Sequence, residues 1–149
     1  MKSLFDQDAY NEVLTRLDQL TPTSPRLWGK MNPAQMLAHC CEAYKVPLSK
    51  KPLKRMFLGR LLGGLLKHKL YNDTPWKQGL PTAPNFIIKE ERDFEVEKAK
   101  FLSLAKAFYD AGPNGITKYP HPFFGTFTPD QWAKSMYKHI DHHLKQFSC

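Results

Sequence analysis

The chain has 149 residues and a formal net charge of +8, from 22 Lys and Arg against 14 Asp and Glu. This length suits a single domain, residues 1–149, with a core large enough to fold without disulfide bonds. The basic excess allows weak attraction to anionic partners, but the densest basic run, residues 48–55, lacks the interleaved aromatic residues of a base-stacking surface, which argues against specific nucleic-acid binding.

Helical periodicity predicts the first two elements. Residues 6–20 place apolar side chains at helical spacing, and the TPTSP segment that follows interrupts the pattern. Asn32 is a favourable N-cap and Pro33 fits the first helical position, so a second helix is expected to begin there. Pro47 is expected to end that helix.

Residues 52–70 are apolar with interspersed basic residues, and they predict a short, kinked helix. Gly63 and Gly64 weaken the helical prediction by about 1 kcal/mol each. Two interpretations remain open for this segment: an amphipathic helix on a membrane surface, or a helix packed on or covering the core with solvated lysines. The sequence favours the second interpretation.

The remaining helices are separated by long connections. Residues 71–85 are rich in turn formers, and Ile87 through Ala111 predict a third long helix, which ends at an AGPNG loop. An aromatic-rich connection, residues 116–127, comes next. Long connections of this kind often cover a functional site.

Thr128 and Pro129 predict the start of the last helix, which is expected to run to about Phe147. Four longer helices and one short helix, with little strand signal, predict an all-α fold. An antiparallel four-helix bundle with an additional short helix and long connecting loops is the natural packing solution.

Three cysteines do not make a disulfide framework, because Cys40 and Cys41 are adjacent and Cys149 is left over. This usage fits a reducing compartment. The first residues are too polar for a signal peptide, and no apolar run approaches the roughly 20 residues of a membrane span. The sequence therefore predicts a soluble, cytoplasmic protein without a membrane span.

His139 and His143 are spaced i, i+4 in the last predicted helix, so both side chains lie on one face and can address one ion. At about 100° per residue, they share one edge of the apolar stripe, whereas His142 points toward the charged face, which carries Lys138 and Lys145. We therefore expect His142 to be exposed to solvent. Gln146 lies near the same edge as the pair and is a candidate contact of a site.

His39 lies on the flank of the apolar stripe of the second predicted helix, from which it can reach between helices. Three neutral imidazoles with an open position are typical of a catalytic metal site. Spacing alone does not bring His39 to His139 and His143, and a histidine at a stripe edge is more often a packed side chain. Metal binding and simple packing both remain open at this point.

Other candidate residues favour structural roles. His121 precedes a proline in an aromatic-rich loop, which favours packing over metal or substrate contact, and His68 is expected to be exposed. Cys40 and Cys41 point about 100° apart on a helix and are best read as small buried residues. Glu42 lies within one turn of His39 and is a candidate orienting group or base, with an exposed glutamate as the default.

Residues 28–44, WGKMNPAQMLAHCCEAY, and residues 121–147, HPFFGTFTPDQWAKSMYKHIDHHLKQF, resemble the DinB-like superfamily, and more closely a branch of unknown function. The resemblance spans essentially the whole domain. It implies an antiparallel four-helix bundle with a divalent metal at one end. The ligands of that family, one histidine of the second helix and a His-x-x-x-His pair of the last, fall on His39, His139 and His143.

Relatives in that superfamily include transferases that use small thiols such as mycothiol or bacillithiol, and a maleylpyruvate isomerase. The three histidines and the long connections make a metal-dependent enzyme the leading hypothesis, with zinc or nickel activating a thiol or water for transfer or hydrolysis on a small substrate. For this branch the resemblance itself supplies no reaction and no catalytic base. A non-catalytic metal-binding stress-response or interaction module is the alternative, an anionic-surface binder is a third, and a homodimer is compatible because related bundles often dimerise.

Overall fold

The computed structural model describes residues 1–149, apart from the side chain of Asn85. Within these residues the chain is all-α, as predicted, with short 3₁₀ turns at Lys67–Leu70 and Pro84–Phe86 and no strand beyond an isolated bridge of His121 with Gly125. The five helices are α1 (Gln7–Gln19), α2 (Pro33–Lys45), α3 (Phe57–Leu66), α4 (Phe94–Gly115) and α5 (Pro129–Gln146).

The predicted starts of α2 and α5 are confirmed, and both helices begin with a reciprocal capping box. The Asn32 side chain accepts from the Gln35 N–H at 2.8 Å, while the Gln35 side chain accepts from the Asn32 N–H at 3.0 Å. Thr128 and Gln131 make the same pair of contacts, each at 3.2 Å. The two helices that carry the candidate histidines are therefore well defined where they begin.

The α4 helix begins later than predicted. Residues 87–93 are not helical, because the Asp93 side chain accepts from the Val96 N–H at 2.9 Å and caps the helix there. At the other end Gly112 has a φ of +56° and a non-helical ψ, so the regular helix is interrupted directly after Ala111. The predicted end of the helix therefore coincides with this kink, and residues up to Gly115 form a separate last turn.

Aromatic packing and one ion pair hold the long helices together. The α2 helix packs along α4, where the Tyr44 ring meets Phe101 edge-on at 5.0 Å and Phe108 at 5.9 Å. The α5 helix contacts α1, α2 and α4. Between α1 and α5 the Arg16 guanidinium lies 2.8 Å from the Asp141 carboxylate. The Tyr44 hydroxyl donates to the carbonyl oxygen of Met136 at 3.1 Å, so α2 and α5 lie side by side.

The α3 helix covers a loop rather than joining the core. Its buried residues are Gly59 and Gly63, which face the backbone of Phe123. Its phenylalanine and leucines are largely exposed to solvent. The predicted covering helix is thus present, but its glycines make the contact, and the interpretation of α3 as core-packed is wrong.

Among the described residues, no helix combines the length and the apolar character that are needed to cross a bilayer.

Candidate metal centre

Helices α2 and α5 bring three imidazoles together. One ring nitrogen from each of His39, His139 and His143 lies within 4.8 Å of the others. Nε2 of His39 and Nε2 of His139 are 3.1 Å apart, and the His143 ring centroid is 4.8 Å from each of the other two. His39 and His143 are buried and His139 is half-buried. The predicted juxtaposition of His39 with the pair on α5 is therefore present.

The spacing suits a shared ion as well as a direct contact. Imidazole nitrogens bind zinc at about 2.0–2.1 Å, so two ligands of one ion are separated by about 2.9–3.4 Å at ordinary coordination angles. The 3.1 Å between the Nε2 atoms of His39 and His139 falls in this interval. It also falls in the range of a nitrogen–nitrogen hydrogen bond. The donor set itself, three imidazoles, is one that zinc and nickel accept.

The orientation of His39 is set by a backbone carbonyl. Its Nδ1 lies 2.9 Å from the carbonyl oxygen of Phe86, which belongs to the 3₁₀ turn Pro84–Phe86. A carbonyl oxygen only accepts, so Nδ1 carries the hydrogen and Nε2 keeps its lone pair. That lone pair faces the other two imidazoles. Contacts of this kind orient metal-binding histidines.

Gln146 sets the orientation of His143 in the same way. Its side-chain nitrogen donates to the carbonyl oxygen of Trp28 at 2.7 Å, so its oxygen accepts from Nδ1 of His143 at 3.1 Å. Gly29 permits this approach, because it has a φ of +80° and a Cβ there would lie 2.5 Å from Nε2 of Gln146. Gln146, a candidate contact in the sequence, therefore contacts His143, one of the candidate ligands.

His139 lacks such support. Its Nδ1 is buried without a hydrogen-bond partner among the described residues. An unpaired buried polar atom typically costs about 1–3 kcal/mol of folding free energy. Nδ1 of His139 thus has no orienting partner, whereas Nδ1 of His39 and Nδ1 of His143 each have one.

Burial keeps the three imidazoles neutral at neutral pH. Burial lowers the pKa of His139 well below its usual range, and the neighbouring His143 and His39 rings lower it further. Burial also lowers the pKa of His143 to about 3, against the opposing contact with Gln146. For His39, burial lowers the pKa and the Phe86 carbonyl opposes this. A neutral imidazole is the form that binds a metal.

A protein-family model, described as "Protein of unknown function (DUF1569)", matches residues 2–149. The chain belongs to this family. No curated protein and no solved structure shows significant similarity to the chain. Membership of DUF1569 supplies no reaction, so the chemistry has to be argued from the site.

In this DUF1569 chain two tryptophans flank His142, the residue that precedes the candidate ligand His143. His142 lies between them, with its ring centroid 5.7 Å from Trp28 and 5.6 Å from Trp76. Trp76 also lies 6.0 Å from His139. The prediction that His142 is exposed is wrong, because the connection 71–85 carries Trp76 back over α5 and leaves His142 half-buried.

Lys138 was expected on the charged face of α5, but it is buried. Its ammonium donates to the carbonyl oxygens of Lys69 and Asn72 at 2.8 Å each, and to the Asn72 side chain at 2.7 Å. It also lies 5.7 Å from the centroid of Trp76. Lys138 therefore anchors the beginning of the connection that covers the centre. Periodicity gave no signal for this, since it describes one helix and not the loop laid over it.

The remaining candidate residues have structural surroundings. His121 packs in its loop as predicted, with Nδ1 accepting from the N–H groups of Phe123 and Phe124 at 3.0 and 3.2 Å. His68 is exposed as predicted. Burial with Arg55 nearby lowers the pKa of His121 to about 4.

The polar neighbours of His39 on α2 do not complete the centre. Cys40 and Cys41 are buried free thiols as predicted, and the Cys40 thiol donates to the sulfur of Met36 at 3.7 Å. Glu42 pairs with Lys45 at 2.5 Å. The partner that orients His39 is the Phe86 carbonyl and not Glu42, which the sequence could not reveal because Phe86 lies 47 residues away.

Proposed function

We propose that this chain is a divalent-metal protein of DinB-like type, in which His39, His139 and His143 hold one ion between α2 and α5. The observation that carries the proposal is the convergence of three ring nitrogens within 4.8 Å. The contacts that orient His39 and His143 from outside support it, because they leave Nε2 of each ring free to bind. Zinc and nickel, which the resemblance suggests, are among the ions that imidazole ligands bind.

The proposal includes the architecture of an antiparallel four-helix bundle within a single domain. The four longer helices, α1, α2, α4 and α5, would form the bundle, with α3 as the additional short helix. Contacts of α5 with α1, α2 and α4, and of α2 with α4, support this arrangement. Metal centres in bundles are commonly built from side chains on facing helices.

We further propose that the centre activates water or a small thiol for transfer or hydrolysis on a small substrate. A divalent ion supplies Lewis acidity that lowers the pKa of water or a thiol toward neutrality. The chain supplies orientation and shielding. Phe86 and Gln146 hold two imidazoles in one tautomer, and Trp28 and Trp76 limit the access of solvent next to His142.

A non-catalytic metal-binding module is the second candidate. An open cleft of about 520 Å³ is lined by residues of α1 and α5, including Glu12, Arg16 and Asp141, together with Asp73 and residues near both ends of the chain, and not by the three imidazoles. Two of the three imidazoles are buried. A fully enclosed ion would be structural, and partners would then bind the surface of the protein.

Metal analysis of protein purified with a tag that contains no histidine tests the proposal. We expect close to one zinc or nickel ion per chain and a higher melting temperature on adding that ion. An absence of bound metal together with an unchanged melting temperature would refute the metal centre. Thiol-transfer and hydrolysis assays on the metal-loaded protein then separate the enzyme from the non-catalytic module.

The proposal also covers the cellular compartment and the oligomeric state of the protein. Three free cysteines, two of them buried, support a reducing compartment such as the cytoplasm. A homodimer is the oligomeric state that the resemblance suggests. Sedimentation velocity of the metal-loaded protein measures it directly.

A further inference from the structure

The α3 helix presents an unusual surface to solvent. Phe57, Leu61 and Leu65 are 78%, 62% and 73% exposed. Leu58 and Leu62 are also exposed, and at about 100° per residue these five side chains occupy an arc of about 140°. We refer to them together as the α3 apolar face. A continuous apolar face of this kind on a protein surface usually marks an interaction site.

Packing on the opposite side of α3 holds the helix in the orientation that points the α3 apolar face to solvent. A Cβ at Gly59 would lie 2.5 Å from the carbonyl oxygen of Phe123, and a Cβ at Gly63 would lie 2.1 Å from the same atom. Only glycines allow the helix to approach the loop backbone this closely. At the start of α3 the N–H of Met56 donates to the carbonyl oxygen of Pro122 at 2.9 Å. Rotation of the helix to bury its leucines would break this packing.

The charged residues of α3 and of the chain segments that flank it have one sign. No acidic residue occurs between Glu42 and Asp73. The exposed basic residues of this stretch include Lys50, Lys51, Lys54, Arg60 and Lys69. An apolar face with a basic surround is typical of helices that bind anionic membrane surfaces.

We propose that the α3 apolar face inserts into the surface of an anionic lipid bilayer. The helix has 10 residues and is therefore about 15 Å long, half of the roughly 30 Å of a bilayer core, so it would lie in the plane of the interface. The surrounding lysines and arginine would then meet the lipid headgroups. A second copy of the chain fits this face less well, because two such copies would bring their basic surrounds together.

Vesicle sedimentation tests the proposal on the full chain. We expect binding to vesicles of equal parts phosphatidylcholine and phosphatidylglycerol, weak binding to phosphatidylcholine alone, and a marked decrease as salt is raised. The double variant Leu61→Glu/Leu65→Glu should bind about a hundredfold more weakly, since it removes apolar area and adds like charge to the lipid. Both side chains are exposed, so the fold should be retained, which circular dichroism checks.

Leu27→Glu is the matched control. Leu27 is 63% exposed and lies far from α3. Its N–H donates to the backbone carbonyl oxygen of Gln146, at the C-terminal end of α5, whereas α3 packs on the loop that precedes the N-terminal end of α5. This variant should bind vesicles like the unaltered protein. An equal loss of vesicle binding in Leu27→Glu and in Leu61→Glu/Leu65→Glu would overturn the assignment of membrane binding to α3.

Three other outcomes would also overturn the proposal. The first is binding to neutral and anionic vesicles alike. The second is self-association that Leu61→Glu/Leu65→Glu abolishes, without vesicle binding, which would make a second copy the occupant. The third is salt-sensitive binding to vesicles or DNA that survives the double substitution, which would reflect the basic residues alone.

Phe57→Trp provides an independent readout. Phe57 is the most exposed apolar residue of α3, so a tryptophan there should be accommodated. We expect its added fluorescence to shift to the blue with anionic vesicles and to be quenched by brominated lipid. An unchanged spectrum at saturating anionic vesicles would contradict insertion of this face.

Discussion

The side-chain oxygen of Gln146 lies 3.1 Å from Nδ1 of His143, and this contact leaves Nε2 of that ring free toward the other two imidazoles. Gln146→Leu removes the acceptor without touching a candidate ligand. Loss of an outer contact of this kind typically costs about 10–100-fold in metal affinity. Competition with a chromophoric zinc chelator should therefore show weaker binding in the variant.

Gln19→Leu is the control for that measurement, because Gln19 is exposed at the end of α1. Its zinc affinity should match that of the unaltered protein. If Gln146→Leu bound zinc with unchanged affinity, the contact would have no role in ordering the centre.

His139 and His142, both on α5, distinguish a metal ligand from a residue that merely lies close to the centre. His139→Ala should abolish stoichiometric zinc binding, since Nε2 of His139 lies 3.1 Å from Nε2 of His39. His142→Ala should retain it, because His142 lies between Trp28 and Trp76 and is not one of the three converging residues. Elemental analysis of both variants measures this, and equal metal content in the two would contradict the ligand set.

The glycines of α3 give a matched pair for stability. Gly64→Ala meets no heavy atom within 4 Å and should stabilise α3 by about 0.5–1 kcal/mol through helix propensity. Gly63→Ala has the same propensity gain, but its Cβ would lie 2.1 Å from the Phe123 carbonyl oxygen. We expect the free energy of unfolding of this variant to fall by about 1–3 kcal/mol, as for other overpacked positions.

Hydrogen exchange of the α3 amides, together with urea unfolding, measures both glycine variants. Local release of α3 would appear as faster exchange even if the unfolding midpoint stays constant. Similar behaviour of the two alanine variants would mean that α3 is not held against the loop as described.

His121 predicts a pH dependence of stability. Its pKa is about 4 in the folded protein against an ordinary value of 6.5, so the folded state binds the proton more weakly than the unfolded state. The contribution of neutral His121 to the free energy of unfolding is therefore complete above pH 6.5, and it is lost as the pH falls through 6.5 toward 4. At pH 5 the loss should be about 2 kcal/mol.

His121→Asn tests that dependence, because an amide oxygen can accept from the Phe123 and Phe124 N–H groups without titrating. Urea unfolding with a chelator present, at neutral pH and at pH 5, should show less acid destabilisation in the variant. Identical pH profiles would assign the acid sensitivity to other groups. The three imidazoles of the centre are common to both proteins and cancel in the comparison.

Local signals in the sequence predicted much of this fold. The caps Asn32 and Thr128, each followed by a proline, define where α2 and α5 begin, and both helices begin there. The same periodicity brought His139 and His143 to one edge of α5. These predictions succeed because they depend only on residues within a few turns of each other.

The differences involve contacts between distant segments. His142 and Lys138 were expected on a solvated face, but the connection 71–85 lies over that face in the folded chain. The start of α4 is the exception. The helix was predicted to begin at Ile87, but the Asp93 side chain accepts from the Val96 N–H and caps the helix at Phe94, which is a local signal that the content of helix formers does not contain. On α3 the glycines, which weaken a helix in isolation, prove to be its packing surface. A single helical wheel contains no information on any of these.

The contact of His39 with His139 joins residues 100 positions apart in the chain. An unfolded chain would offer an ion at most the His139–His143 pair, because closing so long a loop carries a large entropic cost. The full set of three nitrogens therefore exists only after α2 and α5 have come together. An ion bound there would act as a cross-link between distant segments, and its affinity would appear almost entirely as resistance to unfolding.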